Sequence, residues 1–551
     1  MASPNALTFK VTRKNTELIP PAKPTPHEFK TLSDIDDQEA FRFHLPLIAF
    51  FPKNPAMDIK DPVKVFRDAL AKALVFYYPL AGRLRETAGR KLVVECTGEG
   101  ALFIEADADV RLQQFGDTLQ PPFPCLEELL YDVPGSGGVV NCPLLLIQAT
   151  RLKCGGFILA LRVNHTMCDG FGLILFASTM AELARGAEIP SVLPVWQRHL
   201  LSARDPPHVS YMHDEELSSH LRTWLNAASS LGQARSPPFV TSSRCTTFEL
   251  LAAYIWRCRT IAISPDPNEH PPWLNSPAAL KSLLSSQFGK DTFSARVTRH
   301  TCRTCTMSTK TYLILRELSS HLRTWLNAAS SLGQARSPPF VTSSRCTTFE
   351  LLAAYIWRCR TIAISPDPNE EVRILCFVNG RKLFNPPLPA GYYGNVVATP
   401  LAISTAGNLC KQPLDFALEL VMKAKSKVTE DYIKSVADLM VIRGRPHFAF
   451  DMRTYVVSDV AYLGSENLEI GGGSPVFCGP AKAGVGVIPG LGSLNIPFKN
   501  NKGEKGKLVP ICLPANAMEV FVKELETIVK KDDIDLGDAR KSSIFIGRTK
   551  L

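Results

Sequence analysis

The chain has 551 residues, 45% hydrophobic and 21% charged, with mean hydropathy +0.01 and net charge +10. This is ordinary globular composition, on a length that accommodates two or more domains with substantial cores. No uninterrupted apolar run approaches the length of a membrane-spanning helix, since the longest candidate, 144–163, is broken by Gln148, Arg151, Lys153 and Arg162.

Residues 1–15 are polar and basic and contain no apolar signal stretch. The expectation is a soluble cytoplasmic protein whose 15 cysteines are reduced. The pattern then predicts strands at 5–11 and 43–50, with a turn at Ser33–Gln38 (SDIDDQ) between them. An amphipathic helix is predicted over 61–77, closed by Pro79 and Gly82. Strands follow at 91–96 and 101–106, then a strand pair at 140–148 and 157–163. A helix is predicted over 171–184, and a Pro-rich crossover over 186–207.

Residues 216–269 recur letter for letter as 317–370, an offset of 101 residues. Identity over 54 residues is not a solenoid signature, because solenoid repeats drift in sequence. It marks a recent tandem duplication or an error in assembling the gene. Each copy carries the amphipathic pattern FELLAAYIWRCRTIA, and a core packed at crystal density has one slot for such a helix. The second copy is flanked by strand-like 310–315 (KTYLIL) and 371–379 (EVRILCFVN) and reads as the native one. The first copy runs into 270–311, which lacks sustained periodicity, so 216–316 reads as surplus.

The charge follows the same division. Residues 270–316 carry net +6 and 216–269 net +1, so without them the chain falls to +3. The basicity is therefore no sign of a nucleic-acid partner. Cys302 and Cys305 beside His300 lack the second ligand pair that a zinc site needs, and no metal is expected. After the repeats, strands and helices alternate to a helix at 517–530, and the C-terminal Thr549-Lys550-Leu551 resembles a peroxisomal address with one substitution. The interleaving predicts an α/β protein with mixed sheets in two halves.

The residues with the clearest chemical promise lie at 159–172, LALRVNHTMCDGFG. His165 ends an apolar strand, Asp169 follows four residues later, and a helix begins beyond. Histidine exchanges protons near neutral pH, so at a strand mouth it is a candidate general base. The spacing alone is weak, since His447 and Asp451 repeat it in a basic, irregular segment. No G-x-S-x-G elbow or phosphate-binding loop is present, and the glycines at 484–490 fit a dinucleotide fingerprint poorly.

Several blocks together resemble the plant BAHD acyl-CoA-dependent acyltransferases, closest to the alcohol and benzyl alcohol O-acyltransferase branch. They are 9–38, FYYPLAGRLRE at 76–86, CTGEGALFIEADADV at 96–110, NHTMCDGFGL at 164–173, NPPLPAGYYGNVV at 385–397 and GPAKAGVGVIPG at 479–490. The resemblance implies two chloramphenicol-acetyltransferase-like domains, here 1–185 and 216–551 joined by a crossover at 186–215, with an active-site channel between them. It implies His165 as catalytic base and Asp169 paired with Arg381 as support of the site. The family's D-F-G-W-G loop aligns with Glu469-Ile470-Gly471-Gly472-Gly473, where Glu469, Gly471 and Gly473 keep a structural frame but the aromatics are lost.

The function expected is transfer of an acyl group from a CoA thioester to a small neutral alcohol, without an acyl-enzyme. Acyl-CoA is a co-substrate and no cofactor is required. No arginine lies between Ser458 and Glu469, where relatives with anionic acceptors can carry one. The rival expectations are a non-catalytic homologue disabled by the duplication and the altered glycine loop, or an N-acyltransferase. The expected assembly is a monomer without membrane insertion.

Overall fold

The computed structural model describes residues 7–53, 61–207, 307–315, 346–445, 452–470, 473–482, 491–499 and 505–535. Two large mixed sheets dominate them. The first sheet runs, edge to edge, through Val11–Arg13, Ala101–Ala108, Leu145–Leu152, Phe157–Asn164, His44–Phe51 and Phe477–Pro480, with Glu17–Ile19 also on Ala101–Ala108. Only the pairing of Ala101–Ala108 with Leu145–Leu152 is parallel among the recorded pairs of this sheet. The last strand comes from the far end of the chain, so residues 477–480 complete a sheet otherwise built from residues 11–164.

Helices Pro62–Phe76 and Gly170–Ala184 pack on each other and share one apolar core with this sheet. The first begins where the sequence dictates. Asp61 accepts a hydrogen bond from the Val63 amide and Pro62 occupies the first helical position, where no amide hydrogen is needed.

The second sheet has the order Met307–Leu315, Lys505–Pro514, Gly492–Lys499, Thr454–Asp459, Glu371–Cys376 and Leu401–Thr405. Thr454–Asp459 pairs in parallel with both Gly492–Lys499 and Glu371–Cys376, while Lys505–Pro514 on Gly492–Lys499 and Leu401–Thr405 on Glu371–Cys376 are antiparallel. Helix Thr348–Ile364, from the second copy of the repeat, packs against helices Leu414–Ser426 and Ala515–Asp535 on this sheet. Thr347 and Glu350 form a reciprocal capping box at its start. Phe349, Leu352 and Trp357 are buried, as the periodicity requires. The first copy and most of 270–311 lie outside the described residues.

Several boundaries differ from the sequence reading; the last helix, expected at 517–530, spans Ala515–Asp535. The first strand is Val11–Arg13, and residues 7–10 before it are not strand; the Lys10 amide donates to Asp109 Oδ1 and the Lys10 carbonyl accepts the Asp109 amide. The strand expected at 140–148 is Leu145–Leu152, because Asn141 has φ +61° and Pro143 cannot donate to a ladder. The strand before the second copy begins at Met307, three residues ahead of Lys310. Among the described residues no helix is long and apolar enough to cross a membrane.

Candidate active site

His165 follows directly on strand Phe157–Asn164, and its amide donates to the Phe43 carbonyl at 2.9 Å. Asn164 turns the chain there: its Oδ1 accepts from the Thr166 amide and hydroxyl at 3.2 and 2.7 Å. The imidazole is flanked by two phenyl rings, Phe41 stacked at 4.7 Å and Phe43 tilted at 5.5 Å between centroids. Burial holds the His165 pKa below its ordinary value, since a charged imidazole has lost its water. The carboxylates of Asp169 and Asp36 pull the other way without reversing it. A histidine kept neutral is what a general base requires.

Asp169 does not serve the imidazole. Its two oxygens receive Arg381 in a bidentate pair, Nη1 to Oδ2 at 2.6 Å and Nη2 to Oδ1 at 2.9 Å. They also accept the Val396 amide at 3.1 Å and cap helix Gly170–Ala184 through the Gly172 amide at 2.9 Å. Arg381 donates onward to the Gly394 carbonyl and lies over the Phe171 ring. This carboxylate therefore ties three segments together behind His165, and its charge is fully spent doing so. Gly172 permits the closeness: a Cβ there would stand 2.0 Å from the Tyr393 carbonyl oxygen.

A second buried ion pair, which sequence reasoning missed, completes the frame. Asp36 is fully buried and accepts from Arg198 Nη1 with both oxygens at 2.9 Å. It also accepts the Asn395 amide and side chain and the Ser33 hydroxyl. Arg198 donates to the Met167 carbonyl and Asn395 Nδ2 to the His165 carbonyl, at 2.7 and 2.8 Å. Trp196 and Tyr393 flank the Arg198 guanidinium. The turn 33–38, the crossover and the 392–395 segment thus converge on the backbone of 165–167. The signal available was SDIDDQ, three acids within four residues, which sequence alone reads as a turn.

Glu469 is exposed and engages the site's periphery only through its backbone, its carbonyl accepting from Arg185 at 3.0 Å. Ile470 is buried in the first core and bridges to Gly473. Gly471, Gly472, His447, Asp451, Cys302, Cys305 and the glycines at 484–490 lie outside the described residues. Cys168 is buried, and desolvation pushes its thiol up to about 12, so it is protonated and inert near neutral pH.

The profile of the Transferase family matches residues 9–293 and 326–528. The match takes in most of both copies of the repeat, extends through 270–293, which the sequence reading set apart, and omits 294–325. Benzyl alcohol O-benzoyltransferase of Nicotiana tabacum is 50% identical over 526 residues, 96% of this chain and 95% of that protein. (Z)-3-hexen-1-ol acetyltransferase of Arabidopsis thaliana is 44% identical over 531 residues, 95% of this chain and 96% of that one. The crystal structure of vinorine synthase shares the fold, with TM-score 0.57 at 17% identity, covering 94% of this chain and 98% of its own.

Proposed function

We propose, for a chain that belongs to the Transferase family of BAHD acyltransferases, that His165 is the base of a direct transfer from acyl-CoA to a neutral alcohol. The chain is an acyltransferase of the alcohol-esterifying kind. The observation that carries the mechanistic reading is the division of labour between His165 and Asp169. The imidazole is buried, held neutral and has no ion-pair partner, while the neighbouring carboxylate is consumed by Arg381.

An alcohol is a poor nucleophile until its proton is removed as it attacks. His165 takes that proton while the alcohol oxygen bonds to the thioester carbonyl carbon. The tetrahedral intermediate collapses, the carbon–sulfur bond breaks, and the thiolate recovers the proton from the imidazolium. The products are an ester and free CoA. No side chain is acylated, consistent with the protonated state of Cys168.

The acceptor we favour is a neutral, apolar alcohol of the benzyl or hexenyl type, with benzoyl-CoA or acetyl-CoA as donor, since the relatives above are named for such reactions. No arginine lies at 458–469 to pair with an anionic acceptor. We further propose that the protein works in the cytoplasm, as a monomer and without a metal or other cofactor.

Thiol release by the purified full-length protein tests this. Benzyl alcohol with benzoyl-CoA should give turnover, and His165→Ala should lose it by at least about a hundredfold while keeping its melting temperature. Near-normal turnover in a folded His165→Ala variant removes the base assignment. An absence of turnover with any alcohol, but turnover with an amine, moves the reaction to N-acylation.

A further inference from the structure

Three consecutive residues, Gly394, Asn395 and Val396, meet both buried ion pairs behind His165. The Gly394 carbonyl accepts from Arg381 at 2.7 Å, the Asn395 amide donates to Asp36 at 2.8 Å, and the Val396 amide donates to Asp169 at 3.1 Å. Gly394 makes the approach possible, since a Cβ there would stand 2.0 Å from Arg198 Nη1. The backbone of the segment is thereby fixed, and its one polar side chain, that of Asn395, is wholly buried.

The orientation of that carboxamide follows from its partners. Its nitrogen lies 2.9 Å from Asp36 Oδ1 and 2.8 Å from the His165 carbonyl oxygen. Both are acceptors, so the NH2 end must face them and Oδ1 must face away. Oδ1 is buried and takes no hydrogen bond from this frame. The same side chain reaches the imidazole, and it and the His165 carbonyl are the two hydrogen-bonding groups that favour the protonated ring. His165 Nδ1 is buried too, so acceptors of the protein, not bulk water, surround its hydrogen. In a Ser-His-Asp arrangement a carboxylate on Nδ1 fixes ring and tautomer. Here Asp169 and Asp36 are each held by an arginine and reach the ring only as charges.

We infer that Asn395 is a positioning residue for acyl transfer: its carboxamide, anchored on Asp36, holds the His165 carbonyl and the Nδ1 side of the ring, so that Nε2 is left as the base. The inference rests on His165 being the base. An acceptor beside Nδ1 keeps the proton of the neutral ring there, because the bond made by one nitrogen sets the state of the other. The same acceptor steadies the imidazolium that forms as the alcohol gives up its proton. Asp36 strengthens it, since a carboxylate on the NH2 end polarises the carboxamide. Asp36 thus acts on the base through Asn395, across a chain of carboxylate, carboxamide and imidazole. The charged groups that face the ring are Asp169, from the start of helix Gly170–Ala184, and Asp36, from the 33–38 turn. Each is neutralised by its own arginine, and Phe41 and Phe43 pack on the ring without charge.

The test is Asn395→Leu in the full-length protein with benzoyl-CoA and benzyl alcohol, a change that keeps the shape and removes the polar atoms. It should lower kcat by about tenfold or more, because misplacing a reacting group by about 1 Å costs up to a hundredfold. KM for both substrates should change by less than about twofold. Losing an acceptor that favours the charged ring lowers the His165 pKa further, so the acid limb of kcat/KM should move to lower pH. A site that was merely loosened would admit water and move the limb the other way, up toward 6.5. An acid limb that stays in place or rises therefore overturns the proposal, whatever the melting temperature does, and so does a change confined to KM. A second measurement needs no folded Asn395 variant. Nitrogen NMR of isotope-labelled histidine in the unaltered protein, with His165 assigned by its loss in His165→Gln, should show the proton on Nδ1. A ring protonated on Nε2 overturns the proposal. A fully active His165→Ala variant instead defeats the base assignment on which it rests, and is scored separately.

Discussion

Asp169→Asn separates support of the site from its chemistry. Asparagine caps a helix about as well as aspartate, so the contact with the Gly172 amide survives. What disappears is the negative charge facing Arg381. The two side chains are 6% and 12% exposed, so solvent cannot replace it. Breaking a buried pair by removing one partner costs about 3–5 kcal/mol, much of it the orphaned charge. Asp169→Ala also deletes the cap and should cost about 1 kcal/mol more. Pairing Asp169→Ala with Arg381→Met removes the orphan, and a double-mutant cycle should return a coupling of about 2 kcal/mol or more. The guanidinium midpoint of each purified variant reads these differences, and turnover measured beside it should fall in parallel with stability. The double variant should regain stability better than activity, because the Gly394 carbonyl and Val396 amide remain unanchored. An Asp169→Asn variant with an unchanged midpoint and turnover reduced about a hundredfold would refute this reasoning and give Asp169 a chemical role.

Burial holds the His165 pKa below its ordinary 6.5, so the acid limb of kcat/KM should lie below that value in a pH–rate profile. The same shift makes the unfolded chain bind the proton first, so stability should decline as pH falls through 6.5, with a shallower slope in His165→Gln; equal slopes in thermal melts would contradict the burial. Gly172→Ala forces a methyl group toward the Tyr393 carbonyl and should destabilise by about 1–3 kcal/mol, read from the same midpoints; a neutral result would mean the helix start can shift. Deleting residues 216–306, which spares strand Met307–Leu315, should leave stability and turnover at least equal to those of the full chain, checked by melting temperature and thiol release; unfolding would make the first copy part of the core.

What the sequence made legible follows the range of the interaction concerned. Helix Pro62–Phe76 was readable because its cap, its proline and its apolar face are local. The mixed α/β character was readable from the alternation of elements. His165 was readable because a polar, titratable residue ends an apolar run. Asp36 and Arg198 were not. They are 162 residues apart, and nothing in SDIDDQ or WQRHLL says that one pairs with the other. Likewise the strand Phe477–Pro480 ends in Gly-Pro, residues poor in strands, and only its tertiary pairing with His44–Phe51 places it in the first sheet. The Asp169–Arg381 pair, 212 residues apart, was reached only through the family resemblance.

The duplicated segment shows the same limit in its purest form. Both copies carry identical helix signals, down to the capping pair, Thr246 and Glu249 in the first and Thr347 and Glu350 in the second. No local rule can prefer one. The difference lies in partners of which the chain has a single set. Glu350 takes Lys425 at 2.7 Å, the Tyr355 hydroxyl donates to the Leu525 carbonyl, and Arg358 donates to the Cys410 carbonyl. Trp357 is wholly buried against that same core. Each of these partners is committed to residues 347–358, so a second identical helix would have no lysine for its glutamate and no slot for its tryptophan. An amphipathic helix draws most of its stability from such packing rather than from its own propensity. The neighbours, not the residues themselves, hold the second copy's helix in the core.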